Sequence, residues 1–100
     1  MQYIKEMVDQ IEDEVKSAKN YAEKYLRLKA AGNTTLASKY KTMAEDEIRH
    51  AMVIHGEATE EVEKLSKVYP NPPTEMMDKW EHEHKEAIEK IAWVKHMLTL

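Results

Sequence analysis

Glu47-Ile48-Arg49-His50 sets a carboxylate and an imidazole one helical turn apart. Side chains at i and i+3 share a helix face, so this pair can grip one cation. The pair falls in a stripe that reads Leu36, Tyr40, Met43, Glu47, Ala51, Ile54, Ala58, Val62 and Leu65, with His50 at its edge. A second carboxylate interrupts the preceding stripe, which runs Met7, Ile11, Glu14, Ala18, Tyr21, Tyr25 and Leu28. Burying an unpaired carboxylate is costly. Two of them beside a histidine need a cation, a proton or a partner.

Three helices must position these groups, at about residues 3–31, 34–68 and 74–98. Gly32-Asn33 breaks the helical pattern, with Gly suited to a helix C-terminus and Asn33 or Thr34 to the next N-cap. Folding the chain antiparallel about that point sets residue 14 level with roughly residue 51, within about one turn of Glu47 and His50. Three ligand-type residues then share one layer. Tyr69-Pro70-Asn71-Pro72-Pro73 reads as a stiff connector. Asn71 or Thr74 can cap the third helix, whose stripe is Met77, Trp80, His84, Ala87, Ile88, Ile91, Val94 and Leu98. No low-complexity segment or long-period repeat is visible.

The expected fold is therefore all-α: a long antiparallel hairpin plus a third helix, in one domain over residues 1–100. The hairpin helices should be on the order of 40–50 Å long. The shorter third helix cannot shield both apolar sides of such a hairpin. Self-association is expected, most simply a two-fold homodimer with a four-helix core, or a higher homo-oligomer. Met7, Met43, Met52, Met76, Met77 and Met97 suit either adaptable contacts or ordinary core packing.

Composition narrows the function classes. Two Gly and three Pro in 100 residues favour long helices. The net charge of −4, with no basic block, argues against a nucleic-acid partner. The absence of cysteine removes a disulfide framework, a thiolate zinc site and a cysteine nucleophile. Met-Gln-Tyr-Ile-Lys-Glu lacks the apolar core of a signal peptide. No run approaches the roughly 18 apolar residues of a membrane span. A cytoplasmic protein without membrane contact is expected.

Glu14 and Tyr21 on one helix, followed by Met43-Ala44-Glu45-Asp46-Glu47-Ile48-Arg49-His50-Ala51 on the next, resemble the ferritin-like di-iron carboxylate superfamily. The nearest likeness is to its rubrerythrin branch and to the short encapsulated-ferritin type. In that superfamily each half of a four-helix bundle gives one lone Glu and one Glu-x-x-His pair. This chain carries one such half, over roughly residues 8–65. The resemblance implies that Glu14 and Glu47 are bridging or terminal carboxylates, that His50 is a terminal nitrogen ligand, and that Tyr21 lies near the first-helix ligand. A two-fold dimer would supply each ligand twice, the set of a complete di-iron site. Carboxylate oxygens with imidazole suit iron or manganese, with zinc as an alternative, and an open position would admit dioxygen or peroxide. The implied activity is ferrous-iron oxidation or peroxide reduction. The chain departs from the family in three ways. Without cysteine it has no rubredoxin-like centre, it is shorter than a ferritin cage subunit, and His96-Met97-Leu98-Thr99-Leu100 shows no clear encapsulation tag. Short phage-encoded proteins carry the same half-motif.

Other residues have plainer readings. Tyr21 serves equally as a packed ring. Glu45 and Asp46 lie off the stripe, as surface charge. Glu81 and His84 form a second Glu-x-x-His, about 9 Å short of the His50 level. They could face Glu57 or Glu61, or belong to a solvated acidic helix face. His55 and His96 read as surface or core-edge residues. No phosphate-binding loop or serine nucleophile arrangement is present. The alternative function is a helical interaction or adaptor module, of phage or host, whose polar layer or structural metal, zinc or calcium, fixes register without turnover.

Overall fold

The computed structural model describes residues 2–68 and 74–100. These form three α-helices: α1 (Gln2–Ala30), α2 (Thr34–Val68) and α3 (Thr74–Met97). The bounds agree with the sequence expectation to within a residue. The proline connector at 69–73, the capping roles given to Asn71 and Thr74, and the packing of Met76 lie outside the described residues or side chains.

The α1–α2 turn follows from its residue types. Gly32 takes φ +84°, a left-handed conformation that glycine adopts without a Cβ penalty. Its N–H donates to the Lys29 carbonyl at 3.1 Å, and the Asn33 N–H donates to the Leu28 carbonyl at 2.9 Å. Carbonyls orphaned at the end of α1 are thereby satisfied. Asn33 then caps α2, its Oδ1 accepting from the Leu36 N–H at 3.2 Å.

The three helices run up, down and up in a bundle 56 × 17 × 17 Å. At one end Ile4 of α1, Ala58 and Val62 of α2 and Trp80 of α3 share a cluster. At the other end Lys29 Nζ donates to the Leu100 carbonyl at 2.6 Å, tying the chain's end to α1. Between them Ala18, Ala22, Ala44 and Ala51 are fully buried in one core with Ile11, Val15, Ile48, Ile91 and Val94. Alanines at a helix crossing let the two backbones approach closely, and that approach lets short carboxylate side chains meet across the seam. Burying an aliphatic side chain such as Ile11 or Ile48 contributes about 1.5–3 kcal/mol.

The buried stripes are rotated from their expected positions. On α2 the core side chains are Ala37, Ala44, Ile48, Ala51, Ala58 and Val62, while Leu36 and Met43 are exposed. On α1 Val15 and Ala22 are buried, while Glu14 and Tyr21 stay half-buried. The cause is α3. It lies against the side of α1 that carries Val15 and Lys19, and against the side of α2 that carries Ile48 and Met52. One helix of cover draws the buried arc about one residue round each hairpin helix. Ile88 on α3 is exposed, and Met97 is buried in its place at the end of the bundle. Met7 and Met77 pack half-buried against the Trp80 cluster, whereas Met43 and Met52 are exposed. Among the described residues no helix is long and apolar enough to cross a membrane.

Candidate metal centre

The face of the hairpin turned away from α3 carries Glu14, Glu47 and His50. Close packing at Ala18, Ala44 and Ala51 fixes the height of α1 against α2. The i, i+3 spacing then sets Glu47 and His50 over Glu14. One potential ligand atom from each of the three lies within 4.8 Å of the others. His50 Nδ1 stands 3.9 Å from Glu14 Oε2 and 3.9 Å from Glu47 Oε1. Among the described residues this is the one group that brings three such atoms together.

The three sites of exposure differ from the expectation of a buried cluster. The Glu14 and Glu47 side chains are 21% and 24% exposed and His50 is 51% exposed. The carboxylates are therefore held in the seam, and the imidazole stands at its mouth. The reason is the rotation of the buried arcs toward α3, which leaves this face half-open.

The Glu47 pKa is raised above its ordinary value. A hydrogen bond shared with the Glu14 carboxyl is the largest cause, followed by burial and by the Glu14 charge, with His50 opposing. Two carboxylates in hydrogen-bonding contact share a proton or hold a cation. Ligand bonds of about 2.1 Å put neighbouring ligand atoms about 3.0 Å apart and opposite ones about 4.2 Å apart. The two 3.9 Å separations from His50 Nδ1 exceed the neighbouring spacing, so the three side chains would draw inward by about 0.9 Å to close on an ion. One hairpin offers two carboxylates and one imidazole here, with the remaining coordination open toward solvent.

Tyr21 is half-buried, and its ring lies 6.0 Å from that of Tyr40. It stands two turns from Glu14, about 10.5 Å along the axis, as an aromatic pair on the same face. Lys24 Nζ sits 5.3 Å from the Tyr40 ring. Glu45 is exposed, and Asp46 pairs with Arg49 at 3.0 Å on the surface.

Two further groups escaped the sequence reading. Glu12 of α1 meets Glu83 of α3, and the Glu12 pKa is raised, first by a hydrogen bond with Glu83, then by burial and the Glu83 charge, with Lys90 opposing. His84 turns not to Glu57 or Glu61 but to His55, Nδ1 to Nε2, in a hydrogen bond of 2.5 Å. The Trp80 ring stacks on His55 at 6.0 Å and lies tilted against His84 at 5.3 Å. The His55 pKa is lowered by burial and then by His84. Folding α3 back about residue 71 sets residue 55 level with about residue 87, one turn from His84. The arithmetic that aligned Glu14 with Glu47 would have found this pair.

Comparison with protein-family models, with curated proteins and with solved structures gives no match.

Proposed function

We propose that Glu14, Glu47 and His50 bind iron or manganese, and that the same three residues of a second copy complete a two-ion site across a two-fold axis. On this reading the chain is a non-haem di-iron, or di-manganese, carboxylate protein with ferroxidase or peroxide-reducing activity. The observation that carries it is the convergence of two carboxylates and one imidazole on the face that α3 leaves open. A bound iron pair would supply redox chemistry toward dioxygen or peroxide. The chain's own groups set the spacing of the ions, through Glu14 and Glu47, and leave the outer side open beside His50. Leu36 and Met43, exposed on the same stripe of α2, give a second copy apolar surface to cover.

Anaerobic ferrous titration followed by air tests this directly. The expected result is one iron per protomer, near-ultraviolet ferric absorption after oxygenation, and a dimer by light scattering. Iron or manganese should raise the melting temperature and chelation should lower it, because an ion that binds the assembled state stabilises it by mass action. A chain that takes up no iron and stays monomeric rejects the proposal. A dimer without metal favours the second reading, an interaction module whose polar layer fixes register; the exposed Leu36 and Met43 support it equally.

A further inference from the structure

The His55–His84 contact lies on the opposite side of the hairpin from the first cluster and has no role in it. The two imidazoles come from different helices, α2 and α3, and are half-buried. Their rings lie nearly parallel and meet edge to edge, with centroids 4.6 Å apart and planes 17° apart. Trp80, itself buried, lies within 6.0 Å of both rings. A small cavity beside them is lined by Glu12 of α1, His55 of α2 and both Glu83 and His84 of α3. The two imidazoles meet directly, while Glu12 and Glu83 stand in the cavity wall without a carboxylate oxygen within 4.8 Å of both inner nitrogens. The two carboxyls there meet, and the Glu12 pKa is raised first by a hydrogen bond with Glu83, then by burial and by the Glu83 charge.

We propose that His55 and His84 form a second cation site, for a nitrogen-preferring late transition ion such as zinc, with Glu83 or Glu12 drawing in from the cavity wall as a third donor. Neutral imidazole is a strong ligand for zinc and copper, and carboxylate is a competent third donor. With zinc–nitrogen bonds of 2.0–2.1 Å and a tetrahedral angle, two ring nitrogens stand about 3.3 Å apart. Opening the present contact by about 0.8 Å makes room for the ion, within the reach of small side-chain rotations. In the metal-free state one ring donates its N–H to the other's lone pair. On binding, that proton moves through solvent to the outer nitrogen of the same ring. Both inner lone pairs then face the ion, with no net proton released by the imidazoles. A carboxylate from Glu83 or Glu12 would neutralise part of the ion's charge and relieve the repulsion between the two acids. The site is nitrogen-rich and internal to one chain, whereas Glu14–Glu47–His50 is oxygen-rich and open.

The test uses zinc chloride and the full chain carrying Glu14→Gln, Glu47→Gln and His50→Ala, so that failure of the first site does not affect the result. Calorimetry should show about one zinc per protomer. Adding His55→Asn or His84→Asn should weaken that binding at least tenfold, with helix content by circular dichroism as the control for folding. Nitrogen NMR of the histidines in the triple variant needs no change at either imidazole. There the His55 Nε2 and His84 Nδ1 resonances should both move on zinc addition, while those of His82 and His96 stay in place. Absence of zinc binding in the triple variant would overturn the proposal. Binding that survives both asparagine changes, or zinc shifts confined to His82 or His96, would overturn it too.

Discussion

Glu12 and Glu14 sit two residues apart on α1 and therefore point to nearly opposite sides of it. Each meets another carboxyl: Glu14 meets Glu47 on the open side, and Glu12 meets Glu83 on the side that α3 covers. Both contacts raise a carboxyl pKa for the same leading reason, a hydrogen bond between like groups that would repel if both were charged. What differs is the base beside them. His50 is built into the first pair by its i+3 spacing from Glu47 and stands 3.9 Å from both acids. Beside the second pair the imidazoles are already engaged with each other, and the cation that eases the repulsion is Lys90. A lysine ammonium neutralises charge but has no lone pair to give. The same electrostatic tension therefore has two resolutions. One is a chelating group poised on an open face; the other, without metal, is a solvated acid pair beside two imidazoles bonded to each other.

Removing the imidazole should collapse the difference. His50→Ala leaves Glu14 and Glu47 as two acids without a base, much like Glu12 and Glu83. Iron affinity should fall by at least ~100-fold, since even losing a supporting contact to a metal ligand costs 10–100-fold. Glu47→Ala should do the same. Helix content should persist in both, because neither residue belongs to the apolar core. Iron per protomer by elemental analysis is the measurement, and unchanged stoichiometry in both variants refutes the ligand assignment.

Prying the hairpin apart attacks the geometry rather than the ligands. Ala51 is fully buried at the crossing, one residue beyond His50. Ala51→Leu adds three heavy atoms where α1 and α2 approach most closely. It should cost about 1–3 kcal/mol by overpacking, read from denaturant unfolding. It should also move Glu47 and His50 away from Glu14 and weaken metal binding. The Glu12–Glu83 pair, between α1 and α3, should keep its raised pKa by carbon NMR titration.

Neutralising one acid of each pair separates repulsion from coordination. Glu14→Gln and Glu12→Gln should each raise the melting temperature of the metal-free protein by a few degrees, because each removes one of two like charges. Only Glu14→Gln should lose iron. Equal iron binding in the two variants would mean that the first pair is electrostatically tense but not a ligand set.

The helices and the heights of their side chains were legible in the sequence because they depend on local rules. Gly32-Asn33 specifies the turn, and a fixed rise per residue then aligns Glu14 with Glu47 and His50. The exposure of that cluster was not legible. Stripe reading placed Leu36 and Met43 in the core and treated Glu47 as buried. Which arc of each helix is buried depends on where α3 docks, and that is set by long-range packing of Trp80, Ile91 and Val94 against hairpin residues such as Val62, Val15 and Ile48. His55 was read as an edge residue for the same reason: its partner, His84, comes from the helix whose placement the local pattern does not fix.

The smallest effect, and the one that tells the two states of the first pair apart, is the response to acid. In the metal-free protein the pKa values of Glu47 and Glu12 lie above their ordinary value of 4.5. The folded chain therefore holds these protons more tightly than the unfolded chain does. As pH falls from neutral through the raised values, unfolding free energy should grow, and the gain should be complete once pH lies below the ordinary value. His55 works in the opposite direction, because its lowered pKa means that acid charges it more readily in the unfolded chain. Comparing the parent with Glu47→Gln, both retaining His55, cancels that contribution. The parent should gain more stability on mild acidification than the variant does. With iron or manganese bound the sign should reverse, since protons then compete with the ion for Glu14 and Glu47. Melting temperatures measured across the mildly acid range, with and without metal, should slope in opposite directions. Parallel slopes would show that the ion does not occupy the carboxyl pair.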